Sequence, residues 1–336
     1  MSRVRSPRML HRLERWTPVA VAVTVLSLTA SGCVVVHGER EVLPATTPAE
    51  AARALDQFTA AYNRADRAYD SSLDADYVTG ALGAIDAARL KAGRVNNPGG
   101  NPAHTPLTLT DAKFTIPKKA GWPRWFVADA KGNKGGNVRW LMVFLRYGLS
   151  EKWKVAYLTL VAPRKVPEFK KDADGLAEAI PANTTELAMA PRDMSQAYAT
   201  YLQKGGKTFA PGAHTTGWRE QRARNASRPG LARQYIDQPV TDGAFAPLAL
   251  RTADGGALVF FTTRHYEKQT AAQGTTVPTP NKNVQALTTG EIRQSLTMEF
   301  FSNQVALAPP RNAGGPSGPQ VSVLARVQGL TSARGA

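Results

Sequence analysis

The sequence predicts an α+β fold: two helix-plus-antiparallel-sheet rolls in tandem, behind an export segment and a tether. Three observations predict it. Amphipathic helical stretches open each half of the chain, strand-period runs joined by short turns follow them, and the two halves repeat this order.

Order is expected to begin at Thr47-Pro48-Ala49-Glu50. Thr47 suits a helix cap, Pro48 the first helical position, and Glu50 a reach back to the cap. Behind it Ala51, Leu55, Phe58, Tyr62 and Ala65 share one helical face, while Asp56, Gln57, Asn63 and Arg64 fall elsewhere. A second helical stretch, 77–92, carries Leu82, Ile85, Ala88 and Leu90 and is expected to stop at Gly93. Residues 96–106 are rich in Asn, Pro and Gly and read as a loop.

The period then changes. In 107–117 the apolar parity shifts from Leu107 and Leu109 to Phe114 and Ile116, which predicts a bulge near Asp111. Further strands are expected at 122–130, 138–147 and 153–161, with Gly148-Leu149-Ser150-Glu151 closing a hairpin. The last two strands are almost wholly apolar, as for central strands covered on both faces. Residues 47–163 therefore form the first expected unit.

A charged, proline-punctuated stretch follows, and 164–185 is the expected linker. The second unit, 186–331, opens with a helix on which Met194, Ala197, Tyr198, Tyr201 and Leu202 share a face before Gly205 ends it. Strands are expected at 232–240, 245–252, 257–267, 295–308 and 321–330. The polar insertion 271–283 and the Pro- and Gly-rich 309–319 read as mobile loops.

Ala128-Asp129 leads to Gly135-Gly136 and an apolar strand, and Ala253-Asp254 leads to Gly255-Gly256 and another. Halves of this kind resemble the nuclear-transport-factor-like, or cystatin-like, α+β rolls. The layout as a whole is similar to actinobacterial surface lipoproteins of unassigned function. The resemblance implies a fold and a location, and no activity. A roll of that family has a conical pocket between helices and curved sheet, which Tyr62, Trp125, Trp140, Phe144, Trp153 and Tyr157 would line or fill.

The location rests on the first residues. Arg3, Arg5, Arg8, Arg12 and Arg15 precede an uncharged stretch rich in Val and Leu, closed by Ala30-Ser31-Gly32-Cys33. A basic region, an apolar region and small residues describe an export signal. The cysteine behind them resembles a bacterial lipobox, so 1–32 is expected to be cleaved, Cys33 lipidated, and 33–46 to be a tether on the outer face of the membrane. Ala30 stands where that family usually carries Leu. A retained transmembrane anchor over 16–36 is the alternative, since such a helix needs about 20 apolar residues.

Cys33 is the only cysteine, so disulfides, zinc-thiolate sites and a thiol nucleophile are excluded from the mature body. The formal charge is +16, and the part after residue 32 keeps 37 basic against 25 acidic residues, or +12. A basic exported body points to anionic lipid or wall polymer as a partner, and export argues against nucleic acid. The run 218–235 concentrates Arg219, Arg222, Arg224, Arg228 and Arg233 between Trp218 and Tyr235 and is the candidate polyanion-binding stretch.

No H-E-x-x-H, G-x-S-x-G or phosphate-loop motif occurs, so no catalytic, metal or cofactor residues are assigned and no cofactor is expected. His37 and His104 lie in polar segments and read as solvated. His265 shares a strand face with Val259 and Phe261 and reads as a core histidine. Asp172 and Asp174 lie beside Lys170 and Lys171 and read as surface charges. The sequence therefore predicts a lipid-anchored binding or interaction module of the envelope. The alternative is a roll-pocket enzyme acting on a small molecule or envelope component.

Overall fold

Thr47 does cap the first helix, α1 (Pro48–Ala68): its hydroxyl accepts from the Glu50 amide. Glu50 does not fold back to the cap. Its carboxylate accepts from Thr46, Arg146 and Trp153 and so ties the helix start to the first sheet. The computed structural model describes residues 41–314 and 318–336. Cys33, the expected signal segment 1–32 and residues 33–40 of the expected tether lie outside the described residues, as do 315–317 of the stretch 309–319.

The elements follow in order. The first half holds β1 (Val42–Pro44), α1, α2 (Gly80–Asn96), β2 (Leu109–Thr115), β3 (Lys118–Ala120), β4 (Arg124–Gly132), β5 (Arg139–Arg146) and β6 (Lys154–Val161). The second holds α3 (Met194–Lys204), α4 (Thr216–Asn225), β7 (Ser227–Arg228), β8 (Leu231–Val240), β9 (Leu248–Arg251), β10 (Ala257–Ala271), α5 (Lys282–Leu287), β11 (Thr288–Thr289), β12 (Ser295–Ala308) and β13 (Ser322–Gly335). The fold is α+β with antiparallel sheets. One sheet runs β2-β4-β5-β6; the other runs β11-β13-β12-β10-β8-β7, with β9 paired to β10 and β11 parallel to β13.

The strand period of two sorts side chains into four stacked layers. On β5, Trp140, Met142 and Phe144 meet α1 residues Ala51, Ala54, Leu55 and Phe58. The alternate residues Leu141, Val143 and Leu145 face the other sheet, meeting Leu250, Leu258, Phe260 and Val305. On β10 the partners Val259 and Phe261 turn to the far side, against Met194, Tyr198 and Tyr201 of α3. The order is therefore helix, sheet, sheet, helix. Each fully buried Phe or Val contributes roughly 1.5–3 kcal/mol of transfer free energy, so the contact between the sheets is a main source of stability.

That contact draws in the stretches on either side of it. Residues Arg40–Ala336 form one compact unit, and 164–185 is no free linker. Val166, Phe169, Ala177 and Ala179 enter the core between the sheets, and bridges Phe169↔Thr252 and Ala179↔Leu250 stitch the stretch to β9 and its turn. Its charges point outward, where Lys118 pairs with Asp172 and Asp174. The last residues of the expected tether 33–46 are part of the folded body: β1 pairs antiparallel with β3, and Ala45 and Thr46 are buried.

Other differences are local. Helix α2 starts later than expected and runs through Gly93, where a Cβ would stand 2.4 Å from the Tyr69 ring. That glycine permits close approach and does not stop the helix. The bulge lies where the parity shift places it, between Thr110 and Lys113, with Asp111 at φ 47°. The insertion 271–283 runs into α5, which is capped by Asn281 and starts at Lys282, and Val277 within the insertion is buried. Strand β13 extends past residue 330 to Gly335.

Candidate functional site

Two buried polar clusters, one in each half, are the places where the fold holds ionisable groups against cost. The first lies where α1, α2 and the 97–106 loop meet. Asp66, on the buried side of α1, accepts from Arg89 Nη1 (2.6 Å), Asn101 Nδ2 (3.1 Å) and His104 Nδ1 (2.8 Å). Arg89 also donates to Asp86 Oδ1 through Nε and Nη2, and its guanidinium stands 5.4 Å from the Tyr62 ring centre.

Asp74 and Asp86 complete this cluster. Both are buried, and neither Asp74 oxygen nor Asp86 Oδ2 has a hydrogen-bond donor as a carboxylate. A proton on Asp74 supplies a donor to Asp86. Burial first, then the hydrogen bond and charge of Asp86, push Asp74 up to about 8. Asp66 moves the other way: burial would raise it, but His104 and Arg89 hold it below the usual carboxylate range.

His104 is thus no solvated surface residue. Its ring is oriented by a carboxylate, as in a general base, but Nε2 is sealed from solvent and has no partner. A general base must reach the proton it abstracts, and this atom is closed to solvent and has no hydrogen-bond partner. Among the described residues no group of three or more His, Cys, Asp or Glu is placed to hold a metal ion.

The second cluster lies beneath α4. Arg222 Nη1 donates to both oxygens of Asp237 (2.9 and 2.7 Å), with both side chains buried. Its guanidinium lies 4.8 Å from the centres of the Trp218 and Tyr235 rings. Arg326 of β13 stacks on Trp218 at 3.7 Å. His265, buried as expected, stacks on Phe300 with centroids 4.8 Å apart and planes 6° off parallel. Burial, followed by the charges of Arg222 and Arg326, pushes His265 down to about 3. Burial, then Arg326 and Lys165, push His214 down to about 4.

The candidate polyanion stretch is therefore divided. Arg222 is committed to Asp237. Arg233 pairs with Glu267, and Arg219 donates to the Leu202 carbonyl over the Tyr201 ring. Arg224 and Arg228 are exposed. The aromatic residues expected to share one pocket are divided as well: Trp140, Phe144 and Trp153 fill the helix side of the first sheet, and Trp125 and Tyr157 fill the side facing the second.

Open space lies instead on the surface. A groove of about 500 Å³ is lined by Arg164, Lys165 and His214 over Val166, Leu307 and Leu324, with no carboxylate in its wall. A second, of about 670 Å³, has Arg139 at its floor, already bonded to Asp111 and Asp129.

The Asp66–His104 and Asp74–Asp86 pairs carry no contiguous motif. A signal was present: Asp86 interrupts the Leu82–Leu90 stripe at four-residue spacing, and Asp66 follows Tyr62 by four on the apolar face of α1. Acidic residues on a core-facing stripe mark buried charge.

The described residues thus build an α+β body of two face-packed sheets, with sealed polar clusters inside and open grooves on the surface. The chain belongs to the family described as Domain of unknown function (DUF8094), which matches residues 42–335. It is 69% identical over 335 residues, the full length of both chains, to an uncharacterized lipoprotein of Streptomyces coelicolor. It is 56% identical over 335 residues, again the whole of both, to an uncharacterized lipoprotein of Streptomyces avermitilis. A further S. coelicolor lipoprotein is 27% identical over 329 residues, 90% of this chain and 91% of that one. No solved structure matches the chain. Among the described residues, no helix is long and apolar enough to cross a membrane.

Proposed function

We propose that the chain is an exported protein lipidated at Cys33 and held on the outer face of the cell membrane, where its body binds and does not catalyse. The carrying observation is that both faces of the first sheet are filled while the grooves lie outside the cores. The full-length similarity to lipoproteins supports the anchor. Helices on one face of an antiparallel sheet in each half support reading 47–163 and 186–331 as two rolls that have closed on each other.

The ligand this body fits best is anionic. The groove bearing Arg164 and Lys165 has an apolar floor and no acid in its wall, and Arg224 and Arg228 offer exposed cations elsewhere. Anionic lipid or wall polymer has the matching charge and location. Mass spectrometry of the mature amino terminus tests the anchor: a diacylated Cys33 supports it and an intact Ser2 start refutes it. Sedimentation with purified wall, and flotation with anionic vesicles, test the ligand. Arg164→Gln/Lys165→Gln should weaken binding at low salt, and unchanged binding refutes the groove. An enzyme reading rests on the Asp66–His104 pair and requires Nε2 to become accessible.

A further inference from the structure

We infer that the end of the body carrying Trp122, Tyr147 and Leu149 is a membrane-facing surface that sits in the headgroup region of the bilayer. Its orientation rests on the proposed lipidation of Cys33. The described residues expose few large apolar side chains, and five of them gather here: Leu149 (81% exposed), Val42, Tyr147, Trp122 and Leu43. They come from three segments of chain that the fold brings to one place.

The registers show why. Arg124 pairs with Arg146, so the residues just before β4 lie beside those just after β5. Trp122 thus neighbours the β5–β6 turn that holds Tyr147 and Leu149. Val42 pairs with Ala120, two residues from Trp122, and Arg124 donates to the Pro44 carbonyl. The guanidinium groups of Arg124 and Arg146 stand 5.4 and 5.8 Å from the Trp122 ring centre. Arg146 pairs with Glu50; Arg124 makes no ion pair among the described residues.

Length and chemistry together choose the occupant. Residues 34–41 alone separate Cys33 from Val42. Fully extended, that span reaches about 30 Å, so a lipidated Cys33 holds Val42, at this end, within that distance of the headgroups. Tryptophan and tyrosine favour the membrane interface, where the ring is half buried and its polar edge stays wet. Arg124, which carries no ion pair among the described residues, matches the negative surface of anionic lipids, while Arg146 is held by Glu50 and Glu151 bonds the Tyr147 amide in the same turn.

The test uses the full-length processed chain in phosphatidylglycerol–phosphatidylcholine vesicles whose acyl chains carry bromine close to the headgroup. Bromine quenches nearby tryptophan; Trp125, Trp140 and Trp153 are buried in the body, and the half-buried Trp218, packed between Arg222 and Arg326 in the other half, is the background that Trp122→Ser subtracts. The wild type is expected to be quenched, Trp122→Ser to lose that quenching, and Leu149→Glu, an exposed turn substitution, to reduce it at least twofold. Flotation is read separately and reports the anchor. A chain that floats with no Trp122-dependent quenching refutes the surface alone. One that neither floats nor is quenched refutes surface and anchor together, and quenching without flotation supports the surface while refuting the anchor. Loss of quenching accompanied by chemical crosslinking through this patch assigns it to a second copy and overturns the proposal.

Discussion

The two buried clusters carry opposite imbalances. Asp66, Asp74 and Asp86 outnumber Arg89 in the first, while Arg222 and Arg326 outnumber Asp237 in the second. An isolated charge in a low-dielectric interior is too costly to leave as it is. A carboxylate escapes by taking a proton, and burial beside Asp86 favours that proton on Asp74, pushing it up to about 8. A guanidinium has no such exit at accessible pH. The second cluster instead spreads its cations over the faces of Trp218 and Tyr235 and keeps the neighbouring histidines neutral. The same electrostatic problem thus meets proton uptake in one half and aromatic stacking in the other.

The sharpest way to break the second arrangement is Asp237→Ala, which leaves Arg222 buried without its carboxylate. A loss of about 3–5 kcal/mol is expected in urea unfolding, since removing one partner of a buried pair strands the other. Arg222→Met in the same background should recover part of it.

The contrast is next visible in pH. Asp74 binds its proton more tightly folded than unfolded, so its contribution is full below the unfolded value of 3.8 and lost as pH rises through about 8. Asp74→Asn, neutral throughout, should flatten that decline and be relatively more stable at pH 8, by on the order of 2 kcal/mol. Denaturation midpoints from pH 4 to 9 check this.

His265 has the opposite sign. Its folded value is depressed, so its contribution is full above 6.5 and lost as pH falls toward about 3. His265→Phe, which keeps the stack on Phe300, should remove part of the acid-side loss, about 1 kcal/mol at pH 5. Equal pH profiles for the two variants and the wild type would erase the distinction between the clusters. The smallest effect is expected from Arg224→Gln/Arg228→Gln: both residues are exposed, so stability should move by no more than about 0.5 kcal/mol. Any change in wall or vesicle binding then reports contact and not folding.

Much of the first half was legible. The Thr47 cap, the bulge at Asp111, the β5–β6 hairpin and the two-faced apolar strands all follow from local rules acting over a few residues. Gly93 was misleading because a helical glycine looks alike whether it ends a helix or admits a ring from elsewhere. The stretch 164–185 was misleading for a related reason. Its prolines and lysines dominate the composition, while four apolar side chains placed between them do the packing. His104 looked solvated because its partner stands 38 residues away.

What the amino-acid order determined alone was therefore period, punctuation and charge: helices, strands, their turns, an α+β class, a basic cysteine-free body and a lipobox-like Cys33. Those are short-range properties, set by backbone sterics and by which face of an element is apolar. The tertiary structure decided that the two sheets share a core and that 164–185 belongs to it. It also decided that the arginine run divides between a buried pair and an exposed remainder, and that the aspartates at 66, 74 and 86 meet. Such decisions depend on which surfaces exclude water together. Charge cost and apolar burial are properties of that enclosure, and no residue carries them until its distant neighbours arrive.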